Sequence, residues 1–216
     1  LINRGNLIFL AYEFTALIPA NELQLRGSHN TVNCLAALAM GTALELPLDG
    51  MLTTLKGFKG LAHRCQWVAT IDGVEYINDS KATNIGATVA AINGFMDEAR
   101  TNPTDRDKKI ILIAGGQAKG ADFSTLVKNL KNKVAVIILI GVDANLIERA
   151  IIDAEITDSI TVLNVDSLAK AVHISKTHAK ANDIVLLSPA CASFDMFDNF
   201  EDRGNQFISI VEALVV

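Results

Sequence analysis

Cysteine is scarce and poorly spaced for bridging. The 216 residues hold three, Cys34, Cys65 and Cys191, an odd number with no CxxC pair. That argues against a disulfide framework and fits a reducing compartment. Long apolar runs are also missing. The longest, from Val134 to Val142, falls far short of the roughly 20 residues a membrane-crossing helix needs. No run of Lys and Arg occurs and the net charge is −5, so neither a nucleic-acid surface nor a membrane partner is expected. His173 and His178 stand five apart, the wrong spacing for an HExxH zinc site, and read as solvated. No metal site is expected within the chain. Two phosphate-binding signatures are absent as well, the GxxxxGK[ST] of a P-loop and the GxGxxG of a dinucleotide fold. The opening stretch, LINRGNLIFL, has no initiator Met and no basic region of a signal peptide. It reads as the middle of a sheet, so the expectation is a fragment of a cytoplasmic, monomeric protein.

What is present is apolar material in two rhythms. Half the residues are hydrophobic, ample for a packed core. Leu7–Tyr12 and Thr15–Ile18 read as short strands, and residues 21–25 as a weaker third. A helix follows from Thr31, with Ser28 or Asn30 as its cap, and a second follows Pro47. Gly57-Phe58-Lys59-Gly60 then marks a domain boundary, dividing the chain into 1–60 and 61–216. Beyond it, Asp72-Gly73 between two apolar runs predicts a hairpin. Strands over 109–114, 134–140, 160–165 and 183–187 alternate with amphipathic helices, the last helix carrying Phe207, Ile208, Val211 and Leu214. Near-continuous apolar strands separated by such helices predict an α/β fold, a Rossmann-like, mostly parallel sheet with helices on both faces. Such sheets bind ligands at the carboxyl ends of their strands.

The loops at those ends carry the candidate chemistry. Asn78-Asp79-Ser80-Lys81-Ala82-Thr83-Asn84 opens a helix, where free N–H groups favour an anion, and Lys81 and Thr83 add a cation and a hydroxyl. The same segment also reads as a capped helix with an exposed Lys. Gly115-Gly116-Gln117-Ala118-Lys119-Gly120 lets backbone approach a ligand and offers Lys119 as a cation, or is an ordinary tight turn. Ser188-Pro189-Ala190-Cys191-Ala192-Ser193 has small residues that keep a pocket open. Cys191 reads as a small buried residue rather than a nucleophile, because no His lies near it in sequence. Asn30 and Asn33 stand one turn apart and serve either as cap and surface residue or as a contact pair. Arg64, beside the boundary, is either a surface ion-pair partner or a phosphate clamp between domains.

Taken in order, Gly27-Ser28-His29-Asn30…Asn33, His63-Arg64, the 78–84 segment, Gly115-Gly116…Lys119…Asp122-Phe123, the 188–193 segment and Asn199-Phe200…Arg203-Gly204-Asn205-Gln206-Phe207 resemble the Mur ligase family. Within it they are most similar to the members that add D-glutamate. The likeness runs from about Leu25 to Leu214. It implies that residues 1–60 are the tail of a central ATP-binding domain and that 61–216 form the domain holding the incoming amino acid. It also implies that Lys81, Thr83, Lys119, Ser193 and Phe200 surround D-glutamate, and that Asn33, Arg64 and Asp79 contact the nucleotide. ATP and magnesium are implied for the whole enzyme, with the P-loop and metal ligands outside this chain. The implied reaction is formation of an acyl phosphate on UDP-N-acetylmuramoyl-L-alanine, then attack by the D-glutamate amine. No catalytic residue is assigned within the chain. Gln66 departs from the family pattern, which has Glu there. A folylpolyglutamate-type ligase domain and a non-enzymatic α/β binding module are the alternatives.

Overall fold

The computed structural model describes residues 1–4, 7–13, 15–101 and 107–215. Two sheets form. In the first, β1 (Ile2–Arg4), β2 (Leu7–Tyr12) and β3 (Thr15–Pro19) run antiparallel in that order. The strand expected over 21–25 is not one. A 3-10 turn spans Ala20–Glu22, closed by Leu23 N–H on the Ala20 carbonyl at 3.2 Å. The third strand is β1 on the opposite edge, within the opening stretch that reads as part of a sheet, though at its rim rather than its middle. Helices α1 (Ser28–Ala43) and α2 (Leu48–Gly57) complete this part. Its apolar cluster consists of Leu10, Ile18, Leu23, Cys34 and Leu38.

Neither Ser28 nor Asn30 caps α1. Gly27 occupies the cap with φ 87°, and its N–H donates to Glu98 Oε2 at 2.7 Å. Asn30 instead donates from Nδ2 to the Arg26 carbonyl at 2.8 Å. The cap thus has no side-chain bond to the first turn, and a long-range carboxylate holds the backbone of the cap residue instead.

The second sheet has six strands: β4 (Gln66–Ile71), β5 (Val74–Asn78), β6 (Ile110–Gly115), β7 (Val134–Ile140), β8 (Thr161–Asn164) and β9 (Ile184–Leu187). Their spatial order is β4-β5-β9-β6-β7-β8. Only the β4–β5 pair, the hairpin at Asp72-Gly73, is antiparallel. The sheet and its flanking helices are the α/β arrangement that the alternating pattern predicts. Alternate residues of β6 go to opposite faces. Ile110, Leu112 and Ala114 pack with α3 (Ile85–Thr101), α4 (Ser124–Lys128) and α5 (Ala144–Asp153). Ile111 and Ile113 pack with α6 (Leu168–His178) and α7 (Phe200–Ala213). Ile110 through Ala114 and Ile184 through Leu187 have no exposed surface. Each such Ile or Leu contributes on the order of 2–3 kcal/mol by leaving water. Among the described residues no helix is long and apolar enough to cross a membrane.

The consequence for function lies in the strand order. β9, last in sequence, is inserted between β5 and β6. Asn78 and Ile113 both pair with Leu187, so the carboxyl ends of three neighbouring strands lie level.

Candidate functional site

The three loops leaving those ends are stitched together by backbone bonds. Asp79 N–H donates to the Leu187 carbonyl (2.8 Å), Gly115 N–H to Pro189 (2.8 Å) and Ala190 N–H to Ala82 (2.9 Å). Gln117 and Ala192 exchange a pair of bonds at 2.9 and 3.0 Å. Gly115 and Gly116 are required there. Both have positive φ (112° and 129°), and a Cβ would overlap the Ile140 carbonyl at the first and the Ala192 carbonyl at the second. The glycine-rich loop thus serves close backbone approach between loops of the chain itself.

On the β5 side, Lys81 Nζ lies 3.7 Å from the centroid of the Phe200 ring, a cation–π contact. The Phe200 ring also meets His63 edge-on, centroids 6.1 Å apart. Lys81 N–H donates to the His63 carbonyl at 3.0 Å. His63 is buried, and burial lowers its pKa, with Glu201 opposing. Helix α3 begins beyond this loop, capped by Asn84, whose Oδ1 accepts from Ala87 N–H at 3.0 Å. Thr83, two residues before the helix, is exposed.

Arg203 ties α7 to two of the loops. Fully buried, it donates from Nε to Ser80 Oγ (3.0 Å) and from Nη2 to the Ser80 carbonyl (2.9 Å). Nη1 and Nη2 both reach the Cys191 carbonyl (3.3 Å). Burial pulls its pKa down to about 10. Ser80 Oγ passes the connection on, donating to the Phe200 carbonyl at 2.8 Å. Sequence reasoning gave Arg203 no role. A usable signal existed: it interrupts the buried stripe of α7 formed by Gly204, Phe207 and Val211, and a charge inside such a stripe needs built-in partners.

Asp79 is 6% exposed and accepts from Ser188 Oγ at 2.7 Å and from Cys65 N–H at 3.2 Å. Burial raises its pKa to about 6; those hydrogen bonds and the charge of nearby Arg64 oppose the rise. Arg64 itself is exposed. Cys65 Sγ faces His29 Nε2 at 3.4 Å, a thiol–imidazole contact that resembles a nucleophile and its base. Burial and the Asp79 charge push that thiol well above its ordinary range, the opposite of activation. Burial also pushes Cys191 up to about 12, in keeping with a small buried residue.

The remaining predicted residues are distributed around this centre. Ser193 is buried, its carbonyl accepting from Met196 and Phe197 N–H at 3.1 and 2.9 Å. Its neighbour Phe194 is exposed, with Lys119 Nζ 5.3 Å from the ring centroid. Lys119 is exposed and has a left-handed backbone, φ 52°. The structure therefore joins Lys81 to Phe200, and separately brings Lys119 beside the 188–195 loop. Asn33 lies in the first turns of α1, donating to Asn30 Oδ1 at 3.2 Å. Two hollows among the described residues lie elsewhere, one of about 430 Å³ beside the start of β8 and one of about 460 Å³ at the tips of β7 and β8. Among the described residues no cluster of three or more His, Cys, Asp or Glu is placed to hold a metal ion.

Comparison with known proteins shows the family of the chain. A family model described as Mur ligase, glutamate ligase domain, matches residues 63–191. A UDP-N-acetylmuramoylalanine–D-glutamate ligase of Pseudomonas fluorescens is 52% identical over 206 residues, 95% of this chain and 43% of that protein. The protein of the same name from Pseudomonas aeruginosa is 47% identical over 214 residues, 99% of this chain and 45% of that one. The chain thus spans less than half the length of the curated relatives it matches. Among solved structures, a pseudomurein peptide ligase type C from Methanothermus fervidus superposes with a TM-score of 0.63 at 17% identity, covering 98% of this chain and 41% of that one. A UDP-N-acetylmuramate-alanine ligase from Thermotoga maritima gives 0.61 at 16%, covering 89% and 40%. At such identity these structures establish the fold.

Proposed function

The chain belongs to the Mur ligase family, and we propose that it supplies the amino-acid-binding domain of a ligase that uses ATP to join D-glutamate to UDP-N-acetylmuramoyl-L-alanine in the cytoplasm, a step of peptidoglycan synthesis. The observation that carries this reading is the insertion of β9 between β5 and β6. It gathers Lys81, Lys119 and Ser193 onto loops leaving three adjacent strand ends.

D-Glutamate has two carboxylates, and each needs a fixed cation or donor when it leaves water. Lys81 and Lys119 provide two positive charges; Thr83 and Ser193 provide hydroxyls. Phe200 holds the Lys81 ammonium with a face that cannot neutralise it, so the charge stays available to a ligand. In this reading residues 1–60 are the end of the ATP-binding domain, and 61–216 the glutamate domain. Asn33, Arg64 and Asp79 lie on the nucleotide side. Exposed Arg64 suits a phosphate, whereas Asp79, with both oxygens engaged, has only remaining lone pairs at a buried edge for a ribose hydroxyl. ATP supplies the phosphoryl group that activates the acceptor carboxylate. The residues of this chain orient the D-glutamate amine towards that carbon, turning a bimolecular attack into a nearly intramolecular one. Covering the site excludes water from a hydrolysable group.

Titration of the chain with D-glutamate and L-glutamate tests the proposal. Preference for the D-enantiomer, weakened about tenfold or more by Lys119→Ala or Ser193→Ala, is the expected result. Equal affinity for the enantiomers, or none for D-glutamate, overturns it; preference for L-glutamate turns the reading towards the folylpolyglutamate type.

A further inference from the structure

Asn78 ends β5 fully buried, and its amide has only one possible orientation. Ser80 N–H can only donate, so the atom facing it at 3.1 Å is Oδ1. The Gly204 carbonyl can only accept, so the atom facing it at 3.1 Å is Nδ2. Two backbone groups thereby fix an assignment that an isolated amide leaves open. The second N–H of Nδ2 then meets His63 Nδ1 at 3.0 Å. Since Nδ2 has no lone pair to offer, Nδ1 must be the acceptor. A neutral imidazole accepting at Nδ1 carries its proton on Nε2.

The ring has little freedom to escape this arrangement. Gly204 passes so close that a Cβ there would overlap His63 Nδ1. The Phe200 ring meets it edge-on. The His63 backbone is left-handed, φ 62°, with its N–H held by Gln66 Oε1 at 3.0 Å and its carbonyl accepting from Lys81 N–H. His63 therefore touches both members of the Lys81–Phe200 pair, one through backbone and one through its ring. Burial, which lowers its pKa, acts in the same direction as the amide, since a proton on Nδ1 would set N–H against N–H.

We propose that Asn78 is a positioning residue of the glutamate site: it holds His63 as the Nε2–H tautomer and, through His63, sets the Lys81–Phe200 pair. The assignment of that pair to D-glutamate rests on the function proposed above; the tautomer and the clamp do not.

Long-range proton–nitrogen correlation spectra of the nitrogen-labelled, ligand-free chain at neutral pH read the tautomer directly, with His63→Gln assigning the signal. The expected pattern is a bare Nδ1 and a protonated Nε2. A protonated Nδ1 in the unaltered chain overturns the proposal without any variant. Asn78→Asp keeps the acceptor for Ser80 but removes the donor, so Nδ1 should become protonated. The ring-current displacement of the Lys81 ε-methylene resonance should shrink with it. A folded Asn78→Asp chain in which tautomer and Lys81 resonance stay unchanged also overturns it. D-Glutamate titration separates the two claims. Binding about tenfold weaker in Asn78→Asp supports the full proposal, and unchanged binding beside a switched tautomer removes its functional half. Absence of binding by the unaltered chain, with the spectra as expected, refutes the glutamate assignment and leaves the clamp standing.

Discussion

Ser188, the first residue beyond β9, donates from Oγ to Asp79 Oδ2 at 2.7 Å across the join between β5 and β9. This bond sits where the two strand-end loops meet, and it binds a carboxylate that burial holds near pKa 6. The nucleotide side of the proposed site is therefore built around an acid poised close to neutrality.

A pH dependence follows. Because the folded-state value lies above the ordinary 3.8, the native chain keeps a proton that the unfolded chain has released between about pH 4 and 6. Stability falls as pH rises through that window, and the penalty is fully present above it. Asp79→Asn should raise stability at pH 7.5 by up to roughly 3 kcal/mol and leave it nearly unchanged at pH 4. Urea unfolding at both values checks this, and equal effects at the two would contradict it.

Arg203→Lys removes the planar fork that spans Ser80 and Cys191. A single ammonium cannot reach all of these acceptors, and the remainder are left buried and unpaired. A loss of about 3 kcal/mol or more is expected, together with weaker D-glutamate binding, because the 78–84 and 188–195 loops lose their common anchor. Denaturation and titration of the same variant measure both.

Gly115→Ala and Gly120→Ala form a discriminating pair. Both have positive φ, but a Cβ at Gly115 would overlap the Ile140 carbonyl whereas at Gly120 it meets open space. Gly120→Ala should cost about 1–2 kcal/mol from backbone conformation alone. Gly115→Ala must in addition displace a buried strand, and insoluble or unfolded protein is expected. Comparable melting temperatures for the two would sink the argument.

Thiol chemistry offers a further check. Burial raises the pKa of all three free cysteines, so the thiolate that alkylating reagents require is scarce. The folded chain at pH 8 should react slowly with a chromogenic disulfide, and the urea-unfolded chain should release three equivalents at once. Rapid labelling of folded Cys65 would revive it as an activated nucleophile beside His29.

Much of the fold was legible in the order of residues. Apolar runs such as Val134–Ile140 match their strand end to end, because a strand buried on both faces must be apolar throughout. Asp72-Gly73 made its hairpin because its turn geometry is set within four residues. One failure came where a distant group replaced a local one, another where one local turn prevailed over a strand. Ser28 and Asn30 are good caps, yet Glu98 from α3 took the helix start. At residues 21–25 a modest strand tendency lost to a 3-10 turn.

The candidate site divides in the same way. Loops at 78–84, 115–120 and 188–193 were identifiable as strand ends rich in small and polar residues. Asn78, His63, Ser80 and Arg203 were not given roles, since bonds that define them span 15 residues (Asn78 to His63), 126 (Asn78 to Gly204) and 123 (Arg203 to Ser80). The sequence by itself determined which segments are strands and helices, which faces are apolar, and which loops stand at strand ends, for these depend on neighbours within a few residues. Only the tertiary structure decided that β9 lies between β5 and β6, and with it which loops meet, which way the Asn78 amide points and why an arginine is buried in α7. Strand order is a choice among long-range pairings of similar local quality, and it is made by packing the whole sheet at once.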